Sequence, residues 1–158
     1  MAARVFISYA HVDETYRDQV EKQLSILQRA GIVEIWHDRR LGAGEEWDHG
    51  IRSELDRTDI ILLLVSPDFI ASDYINDVEI KRAMERDKAG SACVIPIILR
   101  PCKWEIAPFA RLQALPKDAK AISKWANLDE AYLDVANGIH SAVDRMKTKN
   151  VTSARGAI

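Results

Sequence analysis

Short runs of apolar residues alternate along this chain with amphipathic segments, the pattern of βα units laid on a parallel sheet. Residues 4–9 (Arg-Val-Phe-Ile-Ser-Tyr) read as a first strand. Residues 12–30 read as a helix, with Val20, Leu24 and Leu27 on one face and Gly31 as its stop signal. A second strand follows at 32–36, then a polar loop at 38–46 and a helix through Ile51 and Leu55. Residues 59–65 read as a third strand, and its unbroken apolar run at 60–65 marks it as buried on both faces. The next helix covers 73–87 and ends near Gly90. A fourth strand spans 93–99, where Pro96 implies an edge position or a local break in the ladder. Residues 101–117 contain Pro101, Pro108 and Pro116 and leave room for one short helix. Residues 120–123 read as a short fifth strand. Asn127 with Glu130 resembles a capping box that opens the last helix, expected to end near Met146. Periodicity is lost after that, so 1–146 is read as one domain and 147–158 as a flexible tail, a linker or a truncated boundary.

Five strands joined by short crossovers predict an α/β, flavodoxin-like, three-layer domain, with a parallel sheet in the order 2-1-3-4-5 flanked by helices. In that order the switch point lies between strands one and three, and ligands bind outside the C-terminal strand ends there. Three loops converge on this edge: Tyr9-Ala10-His11, the 38–47 loop, and the 66–74 segment. Glu79 then falls in the second turn of the helix that follows the central strand. A carboxylate there can stabilise a developing positive charge, which cleavage of a glycosidic bond requires.

Composition narrows the choices without making them. The 158 residues suit one domain with a full core, and 47% hydrophobic with 29% charged is ordinary for a globular chain. A net charge of -2 and a pI near 6.1 supply no basic field, so no nucleic-acid partner is expected. No apolar stretch approaches a membrane span and no signal peptide is read at the N-terminus, so the expectation is a cytoplasmic protein without a membrane partner. Cys93 and Cys102 lack metal-type spacing, as do His37, His49 and His140, and no metal is expected. Cys93, inside a strand pattern, reads as a small buried hydrophobe. Gly42-Ala43-Gly44 follows strand two without the spacing of a dinucleotide loop, so it reads as a turn.

Four segments carry a resemblance. Val5-Phe6-Ile7-Ser8-Tyr9 resembles the first box of TIR (Toll/interleukin-1 receptor homology) domains. Trp36-His37-Asp38 with Leu41-Gly42-Ala43-Gly44-Glu45-Glu46-Trp47 resembles their BB loop. Ser66-Pro67-Asp68-Phe69 with Ser72-Asp73-Tyr74 and Glu79 resembles the segment bearing the glutamate of the bacterial, NAD+-cleaving type. Pro96 to Trp104 looks like the fourth strand and following loop of bacterial members. Each box alone is weak; four in order across residues 4–146 are strong. Two positions depart from the pattern: Leu41 stands where many relatives have Pro, and Ile75 where many have Cys.

The resemblance implies an NAD+ nucleosidase, with NAD+ as substrate and no separate cofactor. It would yield nicotinamide and either ADP-ribose or a cyclic isomer. Glu79 would be the catalytic carboxylate. Tyr9, Ala10, His11, Asp38, Leu41, Gly42, Trp47, Ser72 and Tyr74 would contribute to substrate binding. Asp38 would order the BB loop, and His11 reads as a polar loop residue rather than a base. Partners would be other TIR domains, in a homo-oligomer or filament that switches the enzyme on, with a sensor domain in the full-length protein. The role would be that of an effector in bacterial immunity or virulence.

Plainer readings stand beside these. Glu79 is also readable as a solvated helix carboxylate, and Glu54 and Glu85 are read only that way. Trp36 reads as core; Trp47 and Trp104 read as core or as the edge of the pocket, with core preferred. Lys81, Arg82 and Lys88 form a solvated face. The alternative function is a non-catalytic TIR adaptor, which scaffolding members perform without a carboxylate at this position. A nucleoside deoxyribosyltransferase-like enzyme shares the fold and a glutamate, but the first box and the BB loop argue against it.

Overall fold

The structure is a computed structural model that describes residues 1–36 and 47–156. Four parallel strands, β1 (Ala3–Ser8), β2 (Val33–Ile35), β3 (Ile60–Val65) and β4 (Cys93–Ile98), form one sheet in the order β2-β1-β3-β4. This is the flavodoxin-like order expected, with one strand fewer. β3 sits centrally, with Val5 opposite Ile60 on one side and Ile60 opposite Cys93 on the other. Its six residues are all 0% exposed, because helices cover both faces.

Alternation along the strands divides the core in two. Val5, Ile7, Ile60, Leu62 and Leu64 pack under α1 (Glu14–Arg29) and α5 (Leu128–Gly156). Phe6, Ile61, Leu63 and Val65 face the other side. There they meet α2 (Trp47–Arg57), a short helix α3 (Pro67–Ala71), and the helix that begins at residue 73 and ends as α4 (Lys81–Lys88).

The fifth strand is not formed. Residues 122–124 make a 3-10 turn, and the segment touches the sheet through Ser123 N–H donating to Leu99 O. The outer edge of β4 is already taken: Ile98 N–H donates to Leu115 O, and Leu115 N–H to Pro96 O, both at 2.8 Å. Pro116 follows Leu115 and has no N–H to continue the ladder. Pro96 itself is an edge residue, as expected. Cys93 and Leu99 donate inward to β3, so the alternate position 96 points its missing N–H outward, where the β3–β4 ladder loses nothing. Leu115 also explains a glycine inside α5: a Cβ at Gly138 would lie 2.6 Å from its side chain.

Two helical features depart from expectation. α5 continues past Met146 to Gly156, so the backbone stays helical where the apolar periodicity stops. The 66–74 segment, read as a connection, contains α3, whose start has a local signal. Ser66 Oγ accepts from Phe69 N–H at 3.1 Å as N-cap, and Pro67 stands at the first helical position. The helix expected at 73–87 is present, but Ile75–Ile80 form a π-helical turn within it.

Candidate functional site

The site grows out of the C-terminal ends of β1 and β3. β1 ends at Ser8, and the chain turns through Tyr9, Ala10 and His11 into a 3-10 turn at His11–Asp13. β3 ends at Val65 and leads through α3 into the π turn that carries Glu79. Glu79 lies between these segments and α2, at 6% exposure. The expectation of a solvent-accessible carboxylate is therefore corrected. The cause is tertiary: Glu79 lines a small cavity of about 30 Å³ with Tyr9, His11 and Trp47, floored by Phe6, Ile7 and Ile51. A carboxylate among such side chains acts on a nearby charge far more strongly than one in water.

Tyr9 is half-buried, with the Arg17 guanidinium 5.4 Å from its ring centre and the His11 ring edge-on at 6.1 Å. His11 is exposed. Trp47 is 46% exposed, so it edges the cavity rather than joining the core. It opens α2, and its ring lies 4.7 Å from that of Tyr74. The Tyr74 hydroxyl donates to Asp48 Oδ1 at 2.8 Å, and Arg52 Nε donates to the same carboxylate at 2.9 Å. The Tyr74 hydrogen bond, above all, holds the Asp48 carboxyl below its usual range. Burial, then Asp48, pushes the Tyr74 phenol above its usual range, with the Glu79 charge contributing.

Ala10 and Ser72 belong to the same loops without lining the cavity. Ala10 packs against the α2 side of the core, and its carbonyl accepts from Asp13 N–H. Ser72 Oγ accepts from Ile75 N–H at 3.2 Å, capping the turn that leads to Glu79. Asp38, Leu41 and Gly42 lie outside the described residues. Trp36 stacks on Phe6 at 5.4 Å, and Trp104 packs against the same core. Glu54 is buried, but it pairs with Arg4 and Arg57 at the far end of the sheet, away from Glu79.

Sequence reasoning missed Asp13. It is 2% exposed and accepts from Ser66 Oγ at 2.5 Å and from Arg100 Nη2 at 2.9 Å and Nε at 3.2 Å. Arg100 also donates to Asp68 at 2.5 Å. This clasp joins the segments that follow β1, β3 and β4 at the site's edge. An aspartate at a helix start reads as solvated, and nothing local in the sequence announces a partner 87 residues away. Among the described residues no cluster of three or more His, Cys, Asp or Glu side chains is placed to hold a metal ion. Larger hollows lie elsewhere: about 570 Å³ along α4 beside Ile80, Met84 and Pro108, and about 580 Å³ between α1 and α5 beside Tyr16 and Tyr132. The Glu79 cavity differs from them in converging side chains from three elements on one buried acid.

The family model described as the TIR domain matches residues 5–132. The chain belongs to the TIR domain family. The first-box residues Val5 to Tyr9 are thus β1 and the cavity wall of a TIR domain. This TIR domain is 54% identical over 154 residues to the uncharacterized protein y4lF of Sinorhizobium fredii (strain NBRC 101917 / NGR234). The match covers 97% of this chain and 48% of that protein, so the chain spans about half the length of the curated relative it matches. Among solved structures it is similar to the TIR domain of the Toll-related receptor TRR-2 from Hydra magnipapillata. That likeness has 24% identity and a TM-score of 0.49, over 70% of this chain and 81% of that one. No helix among the described residues is long and apolar enough to cross a membrane.

Proposed function

We propose that this TIR domain is an NAD+ nucleosidase that breaks the bond between nicotinamide and ribose. The observation that carries the reading is the burial of Glu79 beneath Trp47 and beside Tyr9 and His11, at the edge where an α/β sheet takes its ligands. Nicotinamide leaves as a neutral base and needs little acid assistance. Positive charge develops on the ribose ring as the C–N bond lengthens. The Glu79 carboxylate stabilises that charge, and the desolvated surroundings strengthen the effect. Water completes the reaction to give ADP-ribose; attack by a nucleophile within the substrate gives a cyclic isomer. Trp47 and Tyr9 supply aromatic walls, and the Tyr74 ring packs against Trp47 from outside the cavity lining. Other TIR domains are the proposed partners, with assembly completing the substrate site.

The second reading, a non-catalytic TIR scaffold, is favoured by one observation. A cavity of about 30 Å³ accepts a water molecule and not a nucleoside, so catalysis requires it to widen. Incubation of the concentrated protein with NAD+ separates the two readings. Release of free nicotinamide that is lost in Glu79→Gln supports the nucleosidase. No release at any concentration, with TIR–TIR association retained, supports the scaffold.

A further inference from the structure

Glu79 stands five residues after Tyr74. In an α-helix of 3.6 residues per turn, that spacing places two side chains about 140° apart around the axis. Yet both residues meet Trp47: the Tyr74 ring packs against it, and Glu79 lines the cavity it edges. The π turn at Ile75–Ile80 reconciles the two facts, because its i→i+5 register returns the fifth residue to the side of the first. The same turn buries Val78, Glu79 and Ile80 in succession, which an ordinary helix on a surface does not do.

A wide turn needs something to hold it. The Asn76 side chain reaches back to the end of α3, where Nδ2 donates to Ile70 O at 2.8 Å and to Ser72 O at 2.7 Å. Both amide hydrogens of Asn76 are thereby committed. They bond carbonyls at and just past the C-terminus of α3, where Ile70 O lies in the last turn and Ser72 O also accepts the Asn76 backbone N–H at 3.1 Å. The first turn of the next helix is thus pinned to α3 by a side-chain amide as well as by the Ser72 cap.

We propose that Asn76 is a positioning residue that fixes the π register and so places Glu79 in the cavity. The proposal rests on the nucleosidase reading for its kinetic consequences, but not for its structural one. The π turn acts as a single-residue insertion in an α-helix. Removing the exposed Asp77 therefore brings Tyr74 and Glu79 to a spacing of four, which an α-helix already holds on one face, and leaves the downstream faces of α4 unchanged.

The test compares Asn76→Ala in the parent chain with the same substitution in a chain lacking Asp77. In the parent, Asn76→Ala lowers kcat about tenfold or more, the scale of a misplaced catalytic group, while KM changes by less than about threefold. Amide exchange accelerates across residues 75–80 and not across 83–88. In the shortened chain, which retains turnover, Asn76→Ala costs less than about threefold because no wide turn remains to be held. Equal costs in both backgrounds would overturn the proposal, since a simple cap would behave that way. So would a folded but inactive shortened chain, or an Asn76→Ala protein with parental turnover and exchange. If the shortened chain fails to fold, exchange in the single variant decides. If the parent releases no nicotinamide, the nucleosidase reading fails, and exchange still tells whether Asn76 holds the turn.

Discussion

Tyr74 and Asp48 are joined by a 2.8 Å hydrogen bond that ties the helix carrying Glu79 to the first turn of α2. The Tyr74 ring packs on Trp47, which lines the small Glu79 cavity, so the bond braces one wall of that cavity against opening. Tyr74→Phe keeps the ring against Trp47 and removes the tether. On the nucleosidase reading, the expected result is a KM for NAD+ lowered about threefold, part of the value of a hydrogen bond to a charged group, with kcat little changed. Steady-state kinetics on nicotinamide release decide it; a raised KM would mean that the bond shapes the bound site instead of closing the empty one.

Glu79→Gln keeps the volume and removes the charge. On the nucleosidase reading it lowers turnover by about two decades or more, the loss expected for one preorganised electrostatic group. Because Glu79 is buried, stability is measured alongside by thermal melting. A Glu79→Gln protein that turns over NAD+ at the parental rate removes Glu79 from the mechanism.

Asp13 is held by Ser66 and Arg100, and removing one partner leaves a buried carboxylate undercompensated. Arg100→Ala is expected to cost about 2 kcal/mol, the value of hydrogen bonds to a buried charged group, because Arg100 itself is partly exposed. Ser66→Ala removes a donor to Asp13 and the cap of α3 together and is expected to cost about 2 kcal/mol. Urea denaturation measures both; values under about 0.5 kcal/mol would place the clasp with ordinary surface pairs.

The Tyr132 phenol, packed under α1, is pushed by burial up to about 12 from its ordinary value of 10.0. The folded state keeps a proton that the unfolded state loses. Its contribution is complete below about pH 10 and declines as pH rises toward about 12, by about 1.4 kcal/mol per pH unit. Tyr132→Phe flattens that part of the stability–pH curve, read from urea midpoints across the window. An unchanged slope would show that other groups carry it; the Cys93 and Cys102 thiols, also raised by burial, are the first to examine.

If assembly completes the site, specific activity rises with protein concentration. Nicotinamide release per mole is measured over a wide dilution series, with light scattering at each point. A flat line from a confirmed monomer would show that one chain suffices.

The sequence by itself determined the architecture, because its signals are local and repeated. Ile60–Val65 is apolar at every position, and only a strand covered on both faces accepts that. The period of Val20, Leu24 and Leu27 fits a helix with one buried face, and all three are buried. Pro96 marked an edge or a break in the ladder because a missing N–H has one tolerable direction, and the structure shows the edge. The boxes around Tyr9, Trp47 and Glu79 pointed to the family because their order and spacing survive without coordinates. Tertiary structure alone decided the rest. Residues 120–123 have strand-like character, but Leu115 already occupies the edge they would need. Asp13 looks like a helix-start acid until Ser66 and Arg100 arrive from β3 and β4. Glu79 looks like a surface glutamate until the π turn swings it under Trp47, because which side of a helix a residue faces depends on the register of the turn, and that register is set by what Asn76 bonds.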